Sequence, residues 1–365
     1  MHRILYFSRD YTTHDHRFLS ALAKTEHEVF YLRLERGDQQ LEARPLPPGI
    51  ESISWTGGRG AVDFKDISIL LSDLARVIEQ VKPDLIQAGP IQRSAFLVAL
   101  LGFQPLISVS WGYDLIHDAE INTMWRWNTR FTLKQSAVMV GDCDTIRKLA
   151  ISYGMPDERI VTFPWGVDLN HFTPNSNEAE AADKPFRLLS TRSWEPIYGV
   201  DVIAQAFVQA ANELPDLRLV MLGEGPMANY LHTIFKEGGV FERVLFPGLA
   251  PYDDLPEYYR AADLYLSASH SDGTSISLLE ALACGIPALV SNIPGNREWI
   301  QPGEQGWLFT DGDSDALAQA ILNAADQRHQ LPEMGHAART LAEQRANWDL
   351  NFQKLLKAYS LALSA

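Results

Sequence analysis

Cysteine is almost missing from this chain: Cys143 and Cys284 are its only two, so no disulfide framework can be proposed. Cys284 sits in Ala-Leu-Ala-Cys-Gly, where a small buried residue near a helix end is the plain reading. Positive charge is scarce as well. Lys and Arg number 31 against 46 Asp and Glu, a formal net charge of −15. That balance speaks against nucleic acid as a partner, which would need a basic footprint. It also weakens docking on an anionic membrane, although a local basic patch can survive a global acidic balance. Long apolar runs are lacking too. The most apolar stretch, Ser94 to Ser110, contains Gln104 and Pro105 and falls short of a membrane span. The opening Met1 to Asp10 is too short in apolar residues for a signal peptide and has no cleavage site. The expected compartment is the cytoplasm, with peripheral contact at the inner membrane face as its furthest reach toward lipid.

What is present is an ordinary globular balance, 46% hydrophobic and 21% charged, over 365 residues. A chain of that length favours two domains. Short β-branched or aromatic runs alternate with helical patterns. Ile4–Phe7, Glu28–Leu32, Leu85–Ala88, Leu106–Val109, Val138–Val140 and Ile160–Phe163 read as strands. Ile67–Val81 and Thr145–Tyr153 read as helices between them. The alternation breaks at the polar, Pro-flanked stretch Thr173–Pro185, which reads as an interdomain linker. It then resumes, with strands at Phe186–Ser190, Leu217–Leu222, Val244–Phe246, Leu264–Ser267 and Ala288–Ser291. Helices are expected at Gly199–Asn212, Leu255–Ala261, Ser277–Cys284 and Ser314–Asp326, and over the tail Trp348–Leu363. The fold class is α/β: two doubly wound, Rossmann-like domains, 1–172 and 173–345, facing each other across a cleft.

The informative stretch runs from Ser267 to Ser291. A strand ends near Ser267, a Gly- and Ser-rich loop follows, and a helix opens around Ser275–Ser277. Amides exposed at such an opening, with the helix dipole behind them, favour an anion. Asp272 lies in the loop and Glu280 one turn into the helix. Carboxylates so placed serve as acceptors for polyol hydroxyls, as in ribose recognition.

This run resembles the signature of the retaining glycosyltransferases of family 4 (glycosyl transferases group 1). That signature is an acidic residue, seven intervening residues and Glu, then Ala-Met/Leu-Ala-Cys-Gly-x-Pro. Here it reads Asp272-x7-Glu280 followed by Ala281-Leu-Ala-Cys-Gly-Ile-Pro-Ala288, with Asp standing where the family usually has Glu. Gly166-Val-Asp168 with Phe172-x-Pro174, Leu222-Gly-Glu-Gly-Pro226, Phe246-Pro-Gly-Leu249 and Tyr258–Asp263 match other family segments in order. The resemblance implies the GT-B fold, with a terminal helix (346–365) packing back on the first domain. It implies no cofactor and a nucleotide-diphosphate sugar, UDP- or GDP-linked, as co-substrate. It also implies a glycan, lipid-linked or small-molecule hydroxyl acceptor.

Residue by residue, the resemblance assigns the donor to Arg192, Gly223, Gly273, Thr274, Ser275, Ile276, Ser277 and Glu280. Glu280 would hold the ribose, and Asp272, a catalytic residue on this resemblance, the transferred sugar's hydroxyls. The family's Lys, six residues after the Arg, falls on Tyr198 here, whose hydroxyl can still donate one neutral hydrogen bond to phosphate. The alternative for Arg192 is a surface ion pair with Glu195.

In the first domain the family's paired glycines are replaced by Tyr11-Thr-Thr-His-Asp-His-Arg17, which offers donor or acceptor contact through His14 or His16, or a helix start capped with Asp15. The family's His-Gly-x-Asp becomes Trp111-Gly-Tyr-Asp114. A catalytic role therefore carries over to Asp114 only, and Trp111 is either a platform for a sugar ring or core. Gly57-Gly-Arg-Gly60 lacks the strand, helix and acidic residue of a dinucleotide fingerprint. Asp142-Cys-Asp144, Asp311-Gly-Asp313 and Asp313-Ser-Asp315 are pairs that arise readily in so acidic a chain, and no metal is expected.

The expected activity is metal-independent transfer of a sugar with retention. The rival readings are another GT-B enzyme, an epimerase or phosphorylase, and a non-catalytic nucleotide-sugar sensor.

Overall fold

A computed structural model describes residues 1–37, 42–62, 64–175 and 184–364. It divides into two compact units, Met1–Phe163 with Phe352–Ala365, and Pro164–Asn351. The expected boundary after residue 172 thus moves to Phe163. The reason is packing: Val167 and Phe172 lie in one core with Leu278, Leu282 and Ala338 of the second unit. Val167 also forms a backbone bridge to Asn347. Residues 176–183 of the expected linker lie outside the described residues.

The first unit is built on a parallel sheet of β1 (Arg3–Ser8), β2 (Glu28–Arg33), β3 (Ile50–Ser52), β4 (Leu85–Gly89), β5 (Leu106–Val109), β6 (Val138–Gly141) and β7 (Ile160–Thr162). Their order is β3-β2-β1-β4-β5-β6-β7. Strands such as Ile4–Phe7 and Leu106–Val109 are buried without alternation because helices cover both faces of such a sheet. Helix Ile67–Val81 shows why: Leu70, Leu74, Val77 and Val81, spaced at three and four, bury one stripe against it. The last helix, Trp348–Leu363, enters this unit at Phe352, and its Tyr359 hydroxyl donates to Gln87 Oε1 on β4 at 2.5 Å.

The second unit repeats the plan with β8 (Phe186–Ser190), β9 (Leu217–Leu222), β10 (Val244–Gly248), β11 (Leu264–Ser267), β12 (Ala288–Ser291) and β13 (Gly306–Phe309). The order is β10-β9-β8-β11-β12-β13. All eleven expected strands are present. β3 and β13 were not expected, since Ile-Glu-Ser is too short to show a pattern and Gly306 opens β13. A Cβ on Gly306 would lie 1.8 Å from the Ala288 carbonyl oxygen, so a glycine is what lets this edge strand approach β12.

In both sheets the connections reverse direction beside the first strand, between β1 and β4 and between β8 and β11. Ligands of doubly wound sheets bind outside the carboxyl ends at such a switch point.

Candidate functional site

In the second unit, β8 and β11 end at Ser190 and Ser267, and the loops that follow carry Arg192 and Asp272. Sheet order therefore brings together residues eighty apart in sequence. The Arg192 side chain is 12% exposed, and its Nη2 donates to Asp272 Oδ2 at 2.8 Å. Nη1 donates to Ser275 Oγ at 2.9 Å and to Ser277 Oγ at 3.2 Å. Its Nε is buried with no hydrogen-bond partner among the described residues. Burial, the largest single influence, would lower the guanidinium pKa, but Asp272 together with Tyr265, Tyr198 and Tyr259 outweighs it and the net shift is upward. The surface pair with Glu195 is not what forms.

Tyr198 engages Arg192 by its ring face rather than its hydroxyl, with the guanidinium carbon 4.0 Å from the ring centroid. A cation held over a tyrosine face keeps its charge with few hydrogen bonds. Ser275 is the N-cap of helix Ile276–Ala283, its Oγ accepting from the Leu278 amide at 3.4 Å. Gly273, Thr274 and Ser275 are buried, and Ile276 and Ser277 are half-buried. The donor segment is thus one cap, one loop and one cation.

Glu280 is 7% exposed, so its carboxylate does not face solvent as an ordinary helical surface residue would. Tyr259 donates its hydroxyl to Glu280 Oε2 at 2.8 Å and lies 3.1 Å from Thr191 Oγ1. Burial first, then the Glu280 charge, raises the Tyr259 pKa well above its ordinary value. Thr191 and Tyr265, which donates to Ser277 Oγ at 2.8 Å, were missed by sequence reading, and Tyr259 was noted only as part of the segment Tyr258–Asp263. Buried tyrosines look like core until their hydroxyl partners are known.

Three glycines set the loop positions. Gly223 (φ 106°) lies under Arg192, where a Cβ would come 2.8 Å from the Arg192 carbonyl oxygen. Gly199, φ 57°, packs on Ala268, where a Cβ would meet that carbonyl oxygen at 2.1 Å. Gly295 abuts the Asp272–Gly273 turn, where a Cβ would sit 2.2 Å from the Gly273 oxygen. The His270 amide donates to the Ile197 carbonyl at 2.9 Å and stitches the two loops. Gly199 and Gly295 could have been suspected only from their place beside strand ends.

Asp114 of the first unit is 3% exposed. Its Oδ1 accepts from the Ser110 hydroxyl at 2.6 Å and the Leu115 amide at 3.0 Å, and Oδ2 accepts from the Ile91 amide at 3.0 Å. Burial raises its pKa to about 6 against those hydrogen bonds. With both oxygens engaged internally, it braces the ends of β4 and β5. Trp111 stacks on His14, with centroids 5.6 Å apart and planes at 24°, and meets Phe18 edge-on. Burial, then Arg17, lowers the His14 pKa to about 4. Asp15 forms a capping box with Thr12, its Oδ2 accepting from the Thr12 amide at 2.9 Å. The capped helix start is therefore the arrangement formed.

The aspartate pairs have local uses. Asp144 pairs with Lys148 at 2.7 Å, Asp311 with His270 at 2.7 Å, and Asp313 caps helix Ser314–Asp326.

Comparison with known proteins agrees with this architecture. The family model described as glycosyl transferases group 1 matches residues 172–341, and that described as glycosyl transferase 4-like matches residues 3–138. The chain is 26% identical over 230 residues to the GDP-mannose-dependent alpha-(1-6)-phosphatidylinositol monomannoside mannosyltransferase of Mycolicibacterium smegmatis. That alignment covers 59% of this chain and 60% of the relative, and other curated relatives are covered over about half their length. Sucrose-phosphate synthase of Thermosynechococcus elongatus superimposes with a TM-score of 0.82 at 16% identity, covering 100% of both chains. HepE of Anabaena in complex with UDP-glucose gives 0.78 at 17% identity, over 99% of this chain and 100% of that one. These structures carry the GT-B fold. The two family models account for most of the sequence, and the chain belongs to the glycosyl transferases group 1 family.

Proposed function

We propose that the chain transfers a sugar from a nucleotide-diphosphate sugar to a hydroxyl acceptor, with the donor held in the second unit. One observation carries this: a desolvated Arg192 aimed at two serine hydroxyls and an acidic loop, at the carboxyl ends of β8 and β11. Such a cluster suits a diphosphate, whose oxygens would accept from Arg192 and from the amides opening helix Ile276–Ala283. As the glycosidic bond breaks, charge grows on the leaving diphosphate, and donors already in place stabilise it without reorganising. Glu280, steadied by Tyr259, would accept from the ribose hydroxyls, and Asp272 from the sugar. Retention follows on this reading from a front-face path, in which the leaving phosphate takes the acceptor's proton.

One relative is GDP-mannose-dependent and HepE was solved in complex with UDP-glucose, which supports a UDP- or GDP-linked donor. Because Arg192 supplies the cation, turnover is expected to need no divalent metal. Loss of more than about nine-tenths of turnover in EDTA, restored by Mg²⁺ or Mn²⁺, would overturn that part. The direct test of the whole is calorimetric titration with UDP and GDP, then assay of their sugars against hydroxyl acceptors with anomeric analysis of the product. Binding of neither nucleotide would sink the donor site, and binding without turnover would favour a sensor.

The same reading places the protein in the cytoplasm with peripheral contact at an anionic bilayer. Support comes from helix Thr123–Gln135, whose outer face exposes Met124 and Trp127 (69% and 55%) beside Arg126, Arg130 and Lys134. Aromatic and basic residues on one exposed face suit a lipid headgroup layer. Sedimentation with anionic vesicles, weakened by Trp127→Ala with Arg130→Ala, is the expected result. Equal sedimentation of both proteins would rule this face out.

A further inference from the structure

The glycine cluster Gly57-Gly-Arg-Gly60 has a definite use in the first unit. A Cβ on Gly57 would lie 2.5 Å from the Trp55 ring, and one on Gly58 (φ 78°) 2.8 Å from the Arg33 carbonyl oxygen. Only glycines let this turn lie flat on the chain leaving β2. The Gly58 amide donates to the Leu34 carbonyl at 2.7 Å, and the Arg36 amide to the Gly60 carbonyl at 3.2 Å. Those two bonds fix Arg59 across from Leu34–Arg36.

The turn walls a cavity of about 600 Å³ at the carboxyl ends of β2 and β3, lined by Arg33, Arg36, Arg44 and Arg59. That volume falls within the roughly 300–1,000 Å³ of small-molecule sites. Glu42 is its one lining carboxylate among the described residues. Arg44 holds Glu42 by two hydrogen bonds of 2.7 and 3.0 Å. Burial would push the Glu42 pKa up, but those bonds outweigh it and hold it at about 2. Arg33 is paired with Asp10. Among the described residues, Arg36 and Arg59 have no carboxylate at ion-pair distance, and both are exposed along the cavity. Arg59 acts on Asp73 only at longer range, so the described lining of four arginines and one carboxylate is net positive in a chain whose net charge is −15. Trp55 supplies an apolar wall, its indole N–H already donating to the Arg33 carbonyl at 2.7 Å.

We propose that this pocket binds the phosphate or diphosphate of the acceptor, so that the acceptor is a phosphorylated molecule rather than a neutral glycan. Planar guanidinium forks match phosphate oxygens in pairs, and Arg36 and Arg59 bring two of them to the wall of one cavity. The aromatic wall takes the group next to the phosphate, a sugar ring or the first carbons of a lipid. The acceptor assignment rests on the glycosyl-transfer reading; the anion site stands without it.

The test uses the full chain carrying Arg192→Ala, which silences the donor-side cation. Inorganic diphosphate is titrated by calorimetry into that protein and into the same protein with Arg36→Ala and Arg59→Ala. Loss of charged hydrogen bonds should weaken binding roughly ten- to a hundred-fold in the second protein. Equal affinity in both overturns the site. Glucose 1-phosphate and farnesyl diphosphate then compete for bound diphosphate. Displacement by the first assigns a phosphosugar acceptor, displacement by the second a lipid diphosphate, and displacement by neither overturns the acceptor assignment. With Arg192 restored, Arg36→Ala/Arg59→Ala should leave UDP or GDP affinity within about threefold, and an equal loss there would show that the variant is merely damaged. Failure of wild type to bind either nucleotide, with diphosphate binding retained here, would remove the donor reading and keep this pocket.

Discussion

The two units share one strand order but use their switch points differently. At β8 and β11 the loops hold a buried cation against an acid, two hydroxyls and an aromatic face. At β1 and β4 the corresponding ends are closed by structure. A Cβ on Gly89 would lie 2.6 Å from the Val109 carbonyl oxygen, Trp111 is stacked on His14, and Asp114 is spent on bracing. The charged groups of the first unit gather instead beside β2 and β3. Topology supplies a crevice; side chains decide whether it holds an ion or a joint.

The strongest break in that comparison is Arg192→Ala. It removes the cation and leaves the Asp272 carboxylate half-buried without it. Two charged hydrogen bonds to a diphosphate are lost, and affinity for UDP or GDP should fall about a hundredfold or more. Asp272→Ala separates the roles. It frees Arg192 for the diphosphate, so nucleotide affinity should stay within about threefold or improve, while turnover of the sugar donor collapses. Parallel loss of affinity in both variants would mean that the pair acts as one unit in nucleotide binding.

Glu280→Ala comes next, with an expected loss of roughly ten- to a hundred-fold in nucleotide affinity if its carboxylate holds the ribose. Tyr259→Phe sharpens this, since it keeps the carboxylate and removes the hydroxyl that orients it. A smaller drop in affinity is expected there, and no change in either variant would detach Glu280 from the nucleotide.

The residues that gather in the second unit stood out in the sequence because the proposed anion binding needs particular residue types in a short window: an Arg after one strand, and hydroxyls and an acid before a helix. The strands were legible for a simpler reason, the unbroken apolar runs of Ile4–Phe7 or Leu264–Leu266. The Arg192–Asp272 pair was not, because its partners come from opposite sides of the switch point. Nor was the ring-face contact of Tyr198, which substitution of a Lys by a Tyr does not announce. The bracing by Asp114 was hidden for the opposite reason: its loop resembles a catalytic one, and only the fold shows which amides and hydroxyl its oxygens accept from. The glycines at 57–60 were set aside as a failed fingerprint, whereas their constraint is the close approach to Arg33 and Trp55.

A pH-dependent difference between the units follows from Asp114. Its carboxyl has an ordinary pKa of 3.8 and a folded value of about 6, raised by burial. The folded state thus prefers the protonated form. The stability this gives is complete below pH 3.8 and is lost as pH rises through about 6, a change of roughly 3 kcal/mol at most. Asp114→Asn should flatten that part of the stability profile between pH 4 and 7, measured by thermal denaturation, though it also disturbs the bond from Ile91 and lowers stability overall. An unchanged pH slope would show that the carboxyl titrates normally.

The smallest effect makes the cleanest comparison, because both units contain a hydroxyl N-cap. Thr12 caps helix Thr13–Leu22 and Ser275 caps helix Ile276–Ala283. Replacing either by Ala should cost about 1 kcal/mol of stability, since each leaves an amide at the helix opening without its acceptor. Their effects on ligand should diverge. Ser275 Oγ also receives Arg192 Nη1 at 2.9 Å and lies 3.1 Å from Ser277 Oγ, so Ser275→Ala loosens the cation as well as the helix. Nucleotide affinity should drop several-fold, less than for Arg192→Ala because Asp272 and Tyr198 still hold the guanidinium. Thr12 has no such second partner in the nucleotide site, and Thr12→Ala should leave UDP and GDP binding unchanged while lowering the thermal midpoint. If Thr12→Ala weakens nucleotide as much as Ser275→Ala does, the first unit's capped loop takes part in donor binding, and the contrast between the two switch points fails.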